Sequence, residues 1–170
     1  RKAVDEGLDL KAIFLTHGHA DHMLGVGGLK EKLGLPVYAC EAERELLADP
    51  AQNLSPALFR KTVSLNADVW VKDGQELTVA GMTFRVLWTP GHTPGGCCYY
   101  SAEAGVLFSG DTLFAGSVGR TDFPGGSMSD LVRGIREKLT KLPDETKVYP
   151  GHMETSTIGE ERRYNPYLGG

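Results

Sequence analysis

Lys11-Ala12-Ile13-Phe14-Leu15-Thr16-His17-Gly18-His19-Ala20-Asp21-His22 joins a short apolar run to four side chains that can bind a metal. The run Lys11 to Thr16 is rich in strand formers and reads as a buried strand. The four polar side chains cluster directly after it. His17 and His19 lie two apart, which in an extended or turning segment puts both imidazoles on one side. Asp21 and His22 come next. Neutral imidazole and carboxylate suit zinc, iron, manganese and related ions.

The chain holds five histidines, and three of them are in this segment. His92 stands in Thr89-Pro90-Gly91-His92-Thr93-Pro94-Gly95, after an extended run ending at Trp88. His152 stands in Tyr149-Pro150-Gly151-His152, after a run beginning at Lys147. Asp111 stands in Ser109-Gly110-Asp111-Thr112, after the run Val106 to Phe108. A lone His in a turn is ordinarily a polar surface residue, and a lone Asp after a strand is ordinarily a turn former or cap. The set resists that reading, because every candidate follows a predicted strand. Seven ligands exceed the needs of one tetrahedral ion and suit two ions roughly 3.5–4 Å apart. The natural division gives His17, His19 and His92 to one ion and Asp21, His22 and His152 to the other. Asp111 is shared.

Around these residues the pattern is mixed. Gly25 to Leu33 and Glu41 to Ala48 read as helices, with Pro36 to Cys40 as a strand between them. Ala51 to Leu65 fits neither period. Glu76 to Ala80 and Met82 to Trp88 suggest a hairpin turning at Ala80-Gly81. Cys97 to Ser101 and Gly105 to Ser109 suggest a second. In Ser129 to Leu142, Leu131, Ile135, Leu139 and Leu142 recur at helical spacing, with Ser127 or Ser129 as cap. Lys147 to Tyr149 reads as a last strand and Ile158 to Tyr164 as a last helix. This order describes a layered α/β or α+β domain. The first ten residues read as a solvated helix, so the chain is expected to begin inside a larger fold.

Composition narrows the function. Hydrophobic residues make 41% and charged residues 24%, enough for a core and too apolar for disorder. The net charge of −4 provides no basic field for a polyphosphate backbone, so no nucleic-acid partner is expected. No window approaches the roughly 18 apolar residues of a membrane span. Cys40, Cys97 and Cys98 form neither a disulfide framework nor a zinc knuckle. They read as reduced, buried thiols of a cytoplasmic protein. Cys97 and Cys98 are expected on opposite faces of one strand.

HxHxDH, then GHTPGG, SGDTLF and PGH, resembles the metallo-β-lactamase superfamily across nearly all of the chain. The resemblance implies an αββα sandwich with metals at one edge between two sheets, and it supports the ligand division above. Leu113 to Gly126 is similar to a loop of glyoxalase II-like hydrolases and of persulfide dioxygenases. The tail Ser156 to Tyr167 is similar to the ending of short glyoxalase II-like (hydroxyacylglutathione hydrolase-like) proteins. The family implies several strands before the position of Arg1, so a domain spanning 1–170 without its first strands is expected. An exposed sheet edge then invites pairing into a homo-oligomer.

The function implied is metal-dependent hydrolysis of a small-molecule thioester such as an S-acyl glutathione. Two divalent ions are implied, zinc first, with iron or manganese also suited. Asp21 and Asp111 serve the reaction as well as the metals. Arg120 would touch the glutathione part of the substrate, with an ion pair to Asp122 as its alternative role. The rival is a persulfide dioxygenase holding one iron on His17, His92 and Asp111. Other ester or lactam substrates stand behind it.

Overall fold

The computed structural model describes residues 6–169. Eleven short strands and six short α-helices follow one another along these residues. The strands are β1 (Ile13–Phe14), β2 (Val37–Cys40), β3 (Val69–Val71), β4 (Glu76–Val79), β5 (Met82–Trp88), β6 (Cys97–Ser101), β7 (Val106–Gly110), β8 (Leu113–Phe114), β9 (Ser117–Val118), β10 (Lys147–Pro150) and β11 (Ser156–Thr157). The helices are α1 (Ala20–Met23), α2 (Val26–Leu33), α3 (Arg44–Ala48), α4 (Ser55–Phe59), α5 (Met128–Gly134) and α6 (Ile158–Tyr164).

Strands β1, β2 and β3 form one parallel sheet in that order. A larger sheet has the order β11-β10-β7-β6-β5-β4. It is antiparallel except between β7 and β10. Strands β8 and β9 make a small separate ribbon.

Side-chain alternation sorts the core into layers. Along β2, Val37 and Ala39 pack with Met23, Val26 and Leu47 beneath the helices α1 to α3. The intervening Tyr38 and Cys40 face the other way. There they meet Phe84, Val86, Cys97 and Tyr99 of the larger sheet. On the far side of that sheet, Leu87, Cys98 and Leu107 pack against Leu131, Ile135 and Ile158 under α5 and α6. Helices, sheet, sheet, helices is the expected αββα sandwich, produced by period-two strands such as β2 and β6 that are covered on both faces. Cys97 and Cys98 fall into different core layers, as their adjacency on a strand requires. All three cysteines are buried and unpaired.

The differences from the sequence reading are local. The solvated helix read over the first ten residues lies partly outside the described residues; within them, Glu6 and Gly7 form a turn and 8–10 have no regular structure. The helix read over Ser129 to Leu142 is capped by Ser127, whose hydroxyl accepts the Asp130 N–H at 3.3 Å. It widens after Gly134 into a π-helical turn, Ile135–Leu139. Helix α3 is preceded by a 3₁₀ turn over Glu41–Glu43. Ala51 to Leu65 contains α4, and β3 was not apparent from its three residues. Among the described residues no helix is long and apolar enough to cross a membrane.

Candidate metal centre

The loops leaving β1, β5, β7 and β10 converge at one edge of the sandwich. The β1 loop is hooked to the larger sheet by the Cys97 N–H, which donates to the Thr16 carbonyl at 2.9 Å. It delivers His17 and His19 and then runs into α1, which carries Asp21 and His22. The β5–β6 loop delivers His92, the end of β7 delivers Asp111, and the turn after β10 delivers His152. All seven residues singled out from the sequence meet here.

The histidine rings crowd together. Centroids lie 5.0 Å apart for His17 and His19, 4.8 Å for His17 and His92, and 4.1 Å for His17 and His22. Asp111 lies among them: Oδ1 is 3.3 Å from His22 Nε2, and Oδ2 is 3.6 Å from His92 Nε2 and 3.5 Å from His152 Nε2. Asp21 Oδ2 is 3.1 Å from His152 Nε2. Three groups bring their ligand atoms within 4.8 Å of one another: His17, His19 and His92; His17, His22 and Asp111; Asp21, His22 and His152. The first and third are the two halves of the division made from sequence.

The donors are chemically ready for a cation. His17 Nε2, His19 Nε2, His22 Nε2 and Asp111 Oδ1 are buried without a hydrogen-bond partner among the described residues. Such orphaned polar atoms are costly unless an unseen group satisfies them. His92 Nδ1–H donates to the Arg120 carbonyl at 2.7 Å, which fixes the tautomer and leaves Nε2 unprotonated, the acceptor of the His19 Nδ1–H at 2.9 Å. Burial drives the His17 imidazole well below its ordinary pKa, helped by the neighbouring His22 and His92. Burial lowers His19 to about 4 and also lowers His92. These three rings are neutral at pH 7, the form that ligates. His22 differs: burial pulls it down, but Asp111 and Asp21 outweigh that and raise it. Burial pushes the Asp111 carboxyl up, and His22, His92 and His152 together bring it below the ordinary range. The residues present fit a divalent cation, with imidazole and carboxylate donors gathered in three overlapping groups.

Two supporting residues escaped the sequence reading. Glu43 is 1% exposed. Its Oε1 accepts the Gly18 N–H at 2.9 Å and its Oε2 accepts the Gly95 N–H at 2.7 Å, tying the His17–His22 loop to the His92 loop. Glu161 on α6 accepts the Gly116 N–H at 2.9 Å and the Asn165 side-chain amide at 2.7 Å, holding the β8–β9 loop beside the mouth. The sequence signal was an acid embedded in a helical pattern, which looks the same whether it faces solvent or a buried loop.

Above the cluster lies a cavity of about 420 Å³, lined by His19, Asp21, His92, Asp111 and His152 at its floor. Arg120 is at its mouth, forked onto Asp122 at 2.7 and 2.6 Å, with its guanidinium 4.2 Å from the Phe123 ring centroid. The ion pair weighed as its alternative role is therefore formed. A larger cavity of about 510 Å³ lies between the sheet ends, but it reaches the seven residues only at His22.

Residues 1–152 match the profile of the Metallo-beta-lactamase superfamily. The chain belongs to that superfamily. It is 36% identical to the hydroxyacylglutathione hydrolase GloC of Haemophilus influenzae over 163 residues, 95% of this chain and 77% of the relative. Among solved structures, the BLEG-1 B3 metallo-beta-lactamase superposes with a TM-score of 0.92 at 41% identity, covering 98% of this chain and 81% of the other. TTHA1623 in a di-iron-bound form gives 0.85 at 38% identity, covering 98% and 82%. The chain is thus a metallo-hydrolase by family, carrying clustered His and Asp groups able to bind metal.

Proposed function

We propose that the chain is a binuclear metallohydrolase that cleaves a thioester such as an S-acyl glutathione. The observation carrying this reading is the convergence of five histidines and two aspartates, with orphaned buried donor atoms, at the floor of an open cavity. Likeness to GloC supports the thioester as substrate. His17, His19 and His92 would hold one ion and Asp21, His22 and His152 the other, with Asp111 serving both. When bound, such ions lower the pKa of a water toward neutrality and polarise a carbonyl.

The residues supply the rest. Asp21 lines the cavity, and its carboxylate is positioned to orient the attacking water. The His92 tautomer, held by the Arg120 carbonyl, keeps the floor geometry fixed through the reaction. A thiolate leaves readily, so the site needs no separate acid, which fits a chain whose histidines are all committed to the floor. The three buried, unpaired cysteines support a reducing, cytoplasmic setting.

Metal analysis of the purified protein, paired with a thioester panel, tests the reading. Zinc-dependent turnover that is lost in His19→Ala and Asp111→Ala is expected. Full activity in metal-stripped protein would refute it. Iron content with oxygen uptake on glutathione persulfide would assign the persulfide dioxygenase reading instead.

A further inference from the structure

Four described residues other than glycine hold a left-handed backbone: Leu54 (φ 64°), Arg60 (φ 54°), Ala80 (φ 54°) and Met153 (φ 67°). Arg60 ends α4 and Ala80 turns the β4–β5 hairpin, where this conformation is usual. Leu54 and Met153 have no such excuse. Leu54 precedes a helix, and Met153 follows the last histidine. A residue with a Cβ is strained in this region, and such strain gathers at functional sites. Both side chains line the cavity above the metal-capable floor.

They do not stand there alone. Leu58, Phe114, Val118 and Phe123 complete an apolar collar around the same cavity. Leu58 is 51% and Met153 69% exposed, so core packing does not account for their placement. The collar also lacks a free positive charge among the described residues. Its cation, Arg120, is paired with Asp122 and sits 4.2 Å from the Phe123 ring centroid. Beyond the metal-capable floor, a negatively charged acyl chain would find no free cation in the collar, whereas an apolar one would find a wall on several sides. The volume of about 420 Å³ leaves room for a reacting carbonyl and a chain of roughly six carbons.

We infer that the collar is an acyl subsite, and that the substrate class is a thioester of an uncharged, apolar acyl group of medium length rather than of a small hydroxy acid. This rests on the thioesterase reading above. In the reaction, water oxygen bonds to the acyl carbon and the C–S bond breaks. The products are the carboxylate, the free thiol and one proton.

The test uses one uncharged thiol carrier, N-acetylcysteamine, bearing acetyl, lactoyl, butyryl, hexanoyl and octanoyl groups, with the zinc-loaded protein. We expect kcat/KM to climb about two- to fourfold per added methylene up to hexanoyl, with lactoyl near the bottom. Leu54→Gly and Met153→Gly should each flatten the hexanoyl-to-acetyl ratio by about tenfold. Glycine also relieves the left-handed backbone, so the thermal midpoint should hold or rise. A lowered midpoint with an unchanged ratio would assign these residues a structural role and overturn the proposal. Calorimetry with S-hexyl and S-methyl thioethers of the same carrier gives a second readout independent of turnover. Tighter binding of the hexyl compound, weakened in Leu58→Asp, is expected. If no thioester is turned over at full metal loading, the thioesterase reading fails and the binding ladder alone decides the collar. A flat rate series and equal thioether binding sink the collar while leaving hydrolysis in place.

Discussion

Oε2 of Glu43 accepts the Gly95 backbone N–H at 2.7 Å, and a Cβ on Gly95 would stand 2.5 Å from that oxygen and 2.2 Å from the Glu43 nitrogen. The approach is closer than any other residue type allows. With its other oxygen Glu43 accepts the Gly18 N–H, so one carboxylate braces the two loops that carry His17, His19 and His92. Burial pushes the Glu43 carboxyl up, and the two N–H donors oppose that shift. The brace lies on the link between packing and site geometry: it sets loop spacing before any metal arrives.

Removing the brace should cost both stability and metal affinity. Glu43→Ala leaves two buried N–H groups without an acceptor, a loss of about 2–5 kcal/mol. Urea denaturation should show a lower midpoint, and competition with a chelator should show weaker zinc binding. Gly95→Ala should reproduce the loss of affinity by forcing the loops apart. Unchanged affinity in a folded Glu43→Ala protein would show that the brace does not set the site.

Much of the site was legible because its residues announce themselves by chemical type. The chain holds five histidines, and their placement after strands, four of them beside glycine, leaves few innocent readings for His17, His19, His22, His92 and His152. The layers were legible because β2 and β6 alternate cleanly between two core faces. Glu43 and Glu161 were hidden, since a buried acid and a solvated one look alike in sequence. Strand β3, three residues long, takes its place from pairing with β2 rather than from its own pattern. The left-handed Leu54 and Met153 were equally silent. Nothing in a leucine or methionine signals a backbone that ordinarily calls for glycine.

His152 offers a way to count ions. Its side chain is 53% exposed, and it belongs to the group of Asp21 and His22 rather than to that of His17, His19 and His92. His152→Ala should therefore leave the fold within about 0.5 kcal/mol of the parent. Bound metal measured by elemental analysis should fall from about two ions per chain to about one. His17→Ala touches two of the three groups and should reduce occupancy further. Identical metal content in both variants would argue against two separable sites.

Acid should destabilise the metal-free protein. Folding lowers the pKa of His17, His19 and His92, chiefly through burial, and His19 reaches about 4 from an ordinary 6.5. Between those values the unfolded chain binds protons that the folded chain refuses, so stability falls as pH drops from 6.5 toward 4. His22 works in the opposite sense. Its raised pKa contributes stability below the unfolded value, which is lost as pH rises through the folded value. Three rings outweigh one. The urea midpoint of chelator-treated protein should be lower at about pH 5 than at about pH 7.5. A midpoint that rises on acidification would show His22 to dominate.

Gly151 separates metal binding from folding most directly. It precedes His152 in an exposed turn, and a Cβ there would stand 2.4 Å from Asp111 Oδ1 and 2.6 Å from His22 Cε1. Both neighbours belong to the metal-capable groups, and neither is a flexible surface side chain able to swing away. Gly151→Ala should therefore push Asp111 and His22 out of register while leaving the three core layers untouched. Circular dichroism should match the parent, and urea unfolding of the metal-free protein should show a loss of no more than about 1–3 kcal/mol, the cost of a local clash. Zinc affinity should fall by at least tenfold, since a shift of a few tenths of an ångström is enough to spoil ligand geometry. Parental zinc affinity in Gly151→Ala would mean that Asp111 and His22 can move without cost, and that the convergence of these two side chains is not what holds the ion.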